Sequence, residues 1–223
     1  MQEQVTGIVI HSLPHSDKSS VSRIFVRGYG LKVFIVRRGG AKKPAGTLFQ
    51  PLSEISFATS LQTGKSVFSL SSPALINPHH HIPADPGKSS IAIFIAEVLY
   101  RTLEEDYIND ELYDFLSQAL SLLDAEDRVR NFPVWFLMSL SRIYGLDPSS
   151  DSPHAVSSLF QSEESPEWIA LSSASVYMEF REVNWTVAFR RALLTDLSRY
   201  LLGHLGIQRE IKSLPVLMEL LSG

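Results

Sequence analysis

The sequence predicts an α+β protein of two domains, a small five-stranded β-barrel over residues 1–82 followed by an all-helical domain over 83–223. Three observations predict it. The apolar residues recur every second position before Leu70 and at three and four positions after Ser89, the periods of strand and helix. A proline-rich stretch, Pro73 to Pro86, lies between the two regimes and suits a linker better than a helix or a central strand. The charge also changes sign. Residues 1–83 carry nine bases against three acids, whereas 84–223 carry 11 bases against 21 acids.

The strands follow in order. Val5 to Leu13 is a β-branched run closed by Pro14-His15-Ser16-Asp17. Val21 to Arg27 alternates, Gly28-Tyr29-Gly30 makes a turn, and Leu31 to Val36 alternates again. A flexible basic loop is expected from Gly39 to Gly46, and Leu48 to Ala58 and Val67 to Leu70 supply the last two strands. Five short strands in about seventy residues match an OB-like barrel. The first helix is expected to start after Gly87, capped by Ser89 or Ser90, and to bury Ile91, Ile95, Val98 and Leu99. Asn109-Asp110-Glu111 opens a second helix. Arg128 to Tyr144 reads as a third, interrupted by Pro133 and stopped by Gly145. Residues 147–167, rich in Ser, Asp, Glu and Pro, read as a mobile loop. Asn184 to Gly203 is a fourth helix with Val187, Leu193, Leu194, Leu197 and Leu201 on its apolar stripe, and Ser213 caps a short last one.

Composition removes several function classes. The absence of cysteine excludes disulfides and every zinc or iron–sulfur site built on thiolates. Met1 leads into Gln2-Glu3-Gln4 without a basic or an apolar stretch, so no signal peptide is expected. Ile91 to Ala96 is far shorter than the roughly 20 apolar residues that span a bilayer. A soluble, cytoplasmic protein is therefore expected. No G-x-S-x-G, H-E-x-x-H or P-loop pattern occurs, and Gly28-Tyr29-Gly30 lies between two strands, the wrong context for a dinucleotide site. No catalytic residue and no cofactor are assigned. His79-His80-His81 is consecutive, whereas zinc ligands are spaced several residues apart, so a surface loop is expected and no metal site.

The basic half points to phosphate. Arg23, Phe25 and Arg27 share one strand face, and Lys32 and Phe34 share another. Cations interleaved with rings are what a single-stranded nucleic acid needs, provided the rings are exposed rather than turned into the barrel. The segment Arg37-Arg38-Gly39-Gly40-Ala41-Lys42-Lys43 places four positive charges within seven residues. Phosphate contact is expected there, a solvated turn being the alternative. In the acidic half, Arg128, Arg130 and Arg142 rim an aromatic run that includes Trp135. Such a rim on an apolar groove captures an acidic, hydrophobic peptide tail; ordinary core packing of the aromatics is the alternative.

Gly7-Ile8-Val9-Ile10-His11-Ser12 with Ser19-Ser20, Gly30 to Gly39, Gln50-Pro51-Leu52, Lys88 to Ala92, Ala96 to Leu103, Glu111 to Leu116 and Ile211 to Leu214 form an ordered set of motifs. That set resembles the RecO family of DNA repair proteins. The resemblance spans nearly the whole chain. It implies an OB-fold that binds single- and double-stranded DNA, a helical domain for partner docking, and a recombination mediator rather than an enzyme. It implies engagement of the acidic C-terminal tail of single-stranded-DNA-binding protein (SSB) and annealing of complementary strands. With RecR, and often RecF, loading of RecA follows, and the setting is the nucleoid. By position, Arg37, Arg38, Lys42 and Lys43 match the family's basic loop after the third strand, and Arg128 and Arg130 fall near its SSB-tail pocket. Two departures stand out. Many relatives carry a four-cysteine zinc site in the helical half, and this chain has no cysteine. Asp17-Lys18-Ser19 also departs from the usual pattern near the second strand. Beside this reading stands a generic OB-fold protein that binds RNA or an acidic protein partner. A hydrolase using His or paired acids is the third and weakest alternative.

Overall fold

The structure is a computed structural model, and it describes residues 2–17, 19–37, 48–62 and 64–221. Five strands, β1 (Glu3–Ser16), β2 (Ser19–Val26), β3 (Gly30–Arg37), β4 (Glu54–Thr59) and β5 (Val67–Leu75), close into a barrel in the order β1-β2-β3-β5-β4. Every pairing is antiparallel except β3 with β5, where Val33, Phe34 and Ile35 face Val67, Phe68 and Ser69 in parallel. This is the OB-like arrangement expected from the strand count. Val9, Ile24, Val26, Phe34, Val36, Ile55 and Phe57 fill the barrel. Gly7 is required inside it, because a Cβ there would lie 2.5 Å from the Ile24 side chain.

Two strand limits differ from the sequence reading. Leu48 to Ser53 does not enter β4; the chain turns there, with Leu52 at a φ of 66° and its N–H donating to the Val9 carbonyl at 2.6 Å. In contrast, β5 runs on through Pro73 to Leu75, so the proline-rich stretch begins inside the sheet. Ile76 N–H then donates to the Glu54 carbonyl.

The helices are α1 (Pro86–Thr102), α2 (Asp110–Ala125), α3 (Phe132–Ile143), α4 (Pro153–Val156), α5 (Pro166–Ser173), α6 (Tyr177–Glu182), α7 (Val187–His204) and α8 (Leu214–Leu220). Asp85, not a serine, caps α1: its carboxylate accepts from Lys88 N–H at 2.9 Å, and Pro86 takes the first helical position. Asn109 caps α2 through Leu112 N–H at 2.8 Å, and Thr186 caps α7. Pro133 does not interrupt α3; it sits in its first turn, where a missing N–H costs no bond. Residues 147–167 are not a structureless loop. They form a turn of 3-10 helix at Pro148–Ser150 and then α4, and they bury Val156 and Phe160.

The chain divides into two compact units. One holds the barrel together with residues 96–124, the end of α1 and nearly all of α2. The other holds residues 82–95 and 125–223. The core of the second unit is aromatic, with Phe132, Phe136, Phe160, Tyr177 and Phe180 nearly or fully buried.

Candidate functional site

The outer face of β2 carries Arg23 and Phe25, with Arg27 just past the strand's end, because the residues between them, Ile24 and Val26, point into the barrel. That face is covered by residues 100–114 of the same unit. Arg23 pairs with Glu105 at 3.3 Å and lies over the Tyr100 ring at 5.3 Å. Arg27 pairs with Asp114 at 2.9 Å and lies over the Tyr113 ring at 5.6 Å. Lys32 pairs with Asp106. Phe25, on the outside of the barrel, is nevertheless buried, with Tyr113 6.1 Å from it. Phe34 is buried on the inside, edge-on to Phe57 at 5.1 Å. The expectation that Phe34 serves as a stacking ring on an open surface is therefore corrected. Its position in β3 points it to the barrel axis, where it fills core volume.

The helical cover is locked to the barrel by a buried carboxylate. Glu54, only 4% exposed, accepts from Tyr113 Oη at 2.9 Å, Ser117 Oγ at 3.0 Å and Asn77 Nδ2 at 2.6 Å. Burial, above all, pushes the Tyr113 hydroxyl well above the ordinary phenol value, which keeps it a donor to Glu54. At the β2–β3 turn, Gly28 N–H donates to Asp110 at 2.8 Å.

The opposite end of β3 is different. Arg37 is exposed, sits opposite Ser19 in the ladder, and has no carboxylate partner among the described residues. It lines a groove of about 1070 Å³ beside β5, together with Lys65, Phe49, Phe68 and several serines. Lys65 was not singled out from the sequence, because it stands alone between polar residues. Arg38, Lys42 and Lys43 lie outside the described residues.

In the second unit the four residues expected at a peptide-binding rim separate. Arg128 and Arg130 line a cavity of about 580 Å³ with Arg181, Arg190, Asp127 and Glu182. Trp135 does not. It is buried against Phe132 and Tyr177, at ring distances of 5.0 and 5.5 Å, and this corrects its expected place on the rim. Arg142 is also elsewhere: it pairs with Asp147 at 3.2 Å and donates to the Ala174 carbonyl. Burial of Asp147 opposes its charge, but hydrogen bonds from Ser149 and Arg142 outweigh that and hold its carboxyl below the usual range. Arg190 was missed from the sequence. It does leave a signal, a charged residue in step with Leu194 and Leu197 on the buried stripe of α7, whereas Val187, expected on that stripe, is exposed at the first turn.

The histidine run is placed by backbone contacts, since His80 and His81 N–H groups donate to the Asp124 carboxylate. Among the described residues, no group of three His, Asp or Glu side chains is arranged to hold a metal ion. No helix of the described residues is long and apolar enough to cross a membrane.

Residues 1–79 match the family described as Recombination protein O N terminal, and residues 83–162 match Recombination protein O C terminal. The chain belongs to the RecO family. It is 36% identical over 158 residues to the DNA repair protein RecO of Bacteroides fragilis, an alignment that takes in 70% of this chain and 65% of that protein. Against the RecO of Phocaeicola vulgatus the identity is 37% over 154 residues, 68% of this chain and 64% of the relative. The RecO of Flavobacterium psychrophilum aligns over the full length of both chains at 28% identity. The chain thus spans slightly less than two thirds of the first two relatives' length. Arg37, Arg128 and Arg130 fall inside the stretches matched to the family, whereas Arg181 and Arg190 lie beyond residue 162.

Proposed function

We propose that the chain is a non-enzymatic DNA repair and recombination mediator. It binds single- and double-stranded DNA through the Arg37 end of the barrel and anneals complementary strands. It is drawn to SSB-coated single strands by the acidic SSB tail, which docks at Arg128 and Arg130. With RecR, and indirectly RecF, it assists the loading of RecA. Family membership and the relatives' names support the process. The observation that carries the DNA site is the contrast between the two ends of β3. Lys32, like Arg23 on β2 and Arg27 just after it, is neutralised by carboxylates of residues 105–114. Arg37 has no such partner among the described residues and leads into Arg38, Lys42 and Lys43 in the sequence. Contacts of this kind are phosphate contacts: they position the strand without reading bases.

The test is annealing of complementary oligonucleotides coated with intact SSB or with SSB lacking its C-terminal tail. Acceleration that requires the tail supports both halves of the proposal. Acceleration with either SSB keeps the DNA-binding barrel and removes the tail from the helical unit. No acceleration at low salt, where phosphate contacts are strongest, overturns the mediator reading.

A further inference from the structure

Of the three ion pairs that neutralise the β2–β3 face, two differ from the third in how they are built. Arg27 meets Asp114 on α2, a helix anchored by its buried Leu112, Tyr113 and Leu116 and by the bonds that Tyr113 and Ser117 make to Glu54. Arg23 and Lys32 instead meet Glu105 and Asp106, which lie between α1 and α2, outside either helix. In both of these pairs the cation is the more buried member. The side chain of Arg23 is 35% exposed against 57% for Glu105, and that of Lys32 is 17% exposed against 76% for Asp106. The carboxylates thus sit on the solvent side of the cations, where an anion from solution can take their place without uncovering the core.

The segment that carries these carboxylates is lightly held. Tyr107 and Ile108 are both exposed and give it no apolar anchor. Glu105 makes an isolated bridge to Leu31, and Asp106 N–H donates to the Leu31 carbonyl across 3.4 Å, a long bond. Successive side chains of an extended chain point to opposite sides. Asp106, at a φ of 65°, breaks that alternation, and both carboxylates reach the barrel. Aspartate is among the few residues that adopt this left-handed conformation readily. Exposed ion pairs of this kind are weak and are screened by salt.

We infer that Glu105 and Asp106 are an intramolecular stand-in for two phosphates, a latch closed over Arg23 and Lys32, and that a single-stranded nucleic acid competes with it for these cations. Arg23, opposite Val33, and Arg37, opposite Ser19, lie on the same face of the β2–β3 ladder. They are four positions apart, roughly 13 Å at the rise of a strand, so one backbone running along the ladder spans both. The latch also masks this second contact from salt. A strand that displaces the carboxylates gives up counterions, but the freed carboxylates take cations up, and the net release is close to zero. With the carboxylates removed, each of the two cations adds about 0.7 to the salt slope. The class of competitor rests on the DNA reading above, whereas the exchangeability of the two pairs rests on their geometry alone.

The experiment uses the full chain and fluorescence anisotropy of a labelled oligo-dT across a potassium chloride series, with a thermal melt of each protein. Wild type is compared with an opened variant, Glu105→Gln with Asp106→Asn, and with the opened variant that also carries Arg23→Gln and Lys32→Gln. Glu104→Gln with Glu111→Gln, two exposed acids of the same stretch, is the charge-matched control. At about 0.1 M salt the opened variant is expected to bind roughly tenfold more tightly than wild type, with a slope steeper by about 1.4. The combined variant should return to the wild-type slope, and the control should stay within about twofold of wild-type affinity. If the combined variant melts early, Arg23→Gln alone in the opened background should remove about half of the added slope. An opened variant that matches the control, or a gain that survives the loss of Arg23 and Lys32, overturns the latch. A gain for poly-glutamate equal to that for oligo-dT makes the surface a general anion site and refutes the assignment to nucleic acid. Binding by the opened variant but not by wild type removes Arg37 as the DNA site and keeps the latch, and no binding by either at low salt overturns both readings.

Discussion

Replacing Arg37, Arg38, Lys42 and Lys43 together by Ala, and in a second variant Arg23, Arg27 and Lys32 by Ala, separates the two ends of the barrel. Each phosphate contact to a single strand contributes about 0.7 to the slope of log affinity against log salt. Four lost contacts therefore flatten the slope by about 3. The second variant removes just as clear a block of cations from the sequence, but all three are already paired with Glu105, Asp114 and Asp106. Its slope is expected to change by less than about 1. Its cost appears in stability instead. Three half-exposed ion pairs at about 0.2–1 kcal/mol each, plus two guanidinium–ring contacts at about 0.5–1 kcal/mol each, come to about 2–5 kcal/mol. The assay is anisotropy of a labelled oligo-dT across a potassium chloride series, with a urea melt of each variant. A second variant whose slope falls as far as that of the first, with its stability intact, would show that the acidic cover does not shield the β2–β3 face. The reasoning would then fail.

Three further outcomes follow from the same unit. Glu54→Ala strands the Tyr113, Ser117 and Asn77 donors, and a loss of about 2–3 kcal/mol is expected in urea unfolding; Glu54→Gln should recover part of it, and a neutral Glu54→Ala would sink the claim that this carboxylate locks the cover. Gly28 and Gly30 both have positive φ, 75° and 74°, but a Cβ on Gly30 would lie 2.5 Å from the Tyr107 carbonyl oxygen and one on Gly28 meets nothing within 4 Å. Ala at Gly28 should cost about 1 kcal/mol and Ala at Gly30 clearly more, and equal melting temperatures would contradict the close approach. Burial lowers the pKa of His11, with Arg23 second, and burial likewise lowers that of His79. Their folded values thus lie below the unfolded 6.5, the folded state binds fewer protons, and stability is lost as pH falls through and below about 6.5. His11→Gln should flatten that fall in urea midpoints between about pH 7.5 and 5.5, and an unchanged slope would remove His11 as a contributor.

What the sequence made legible is what short-range periodicity encodes. The two-residue alternation of Val21 to Arg27 located β2 and its outward cations, and Asn109 and Gly28-Tyr29-Gly30 marked a cap and a turn that the structure contains. What it left hidden is long-range. Arg23 and Glu105 are 82 positions apart, and Arg27 and Asp114 are 87 apart, so no local pattern announces that they meet. Phe25 shows the same limit. Alternation offers a ring inside the barrel or a ring exposed to bases, yet Phe25 faces outward and is covered by Tyr113. Trp135 and Arg142 were grouped with Arg128 by proximity along a helix, whereas the faces of α3 send them apart.

The charge asymmetry along the chain therefore needs a different interpretation once the fold is known. The acids that make the second half negative are concentrated between Glu97 and Asp124, and those residues belong to the barrel's own compact unit. That unit holds ten bases and eleven acids, and the other holds ten bases and thirteen acids. Three cations of the basic N-terminal field, Arg23, Arg27 and Lys32, are thus paired within the molecule, where they hold residues 100–114 over β2 and β3. Net charge governs steering only through what remains unpaired on the surface. Among the described residues, the cations without a carboxylate partner include Arg37 at the open end of β3, and Arg130 and Arg190 in the helical unit. Each group stands in a different compact unit, and the chemistry around each differs, an open groove beside a strand in one case and a cavity with acidic walls in the other. A nucleic-acid backbone and an acidic peptide are recognised by different arrangements of the same side chain, and the pairing of charges, rather than their count, distinguishes them.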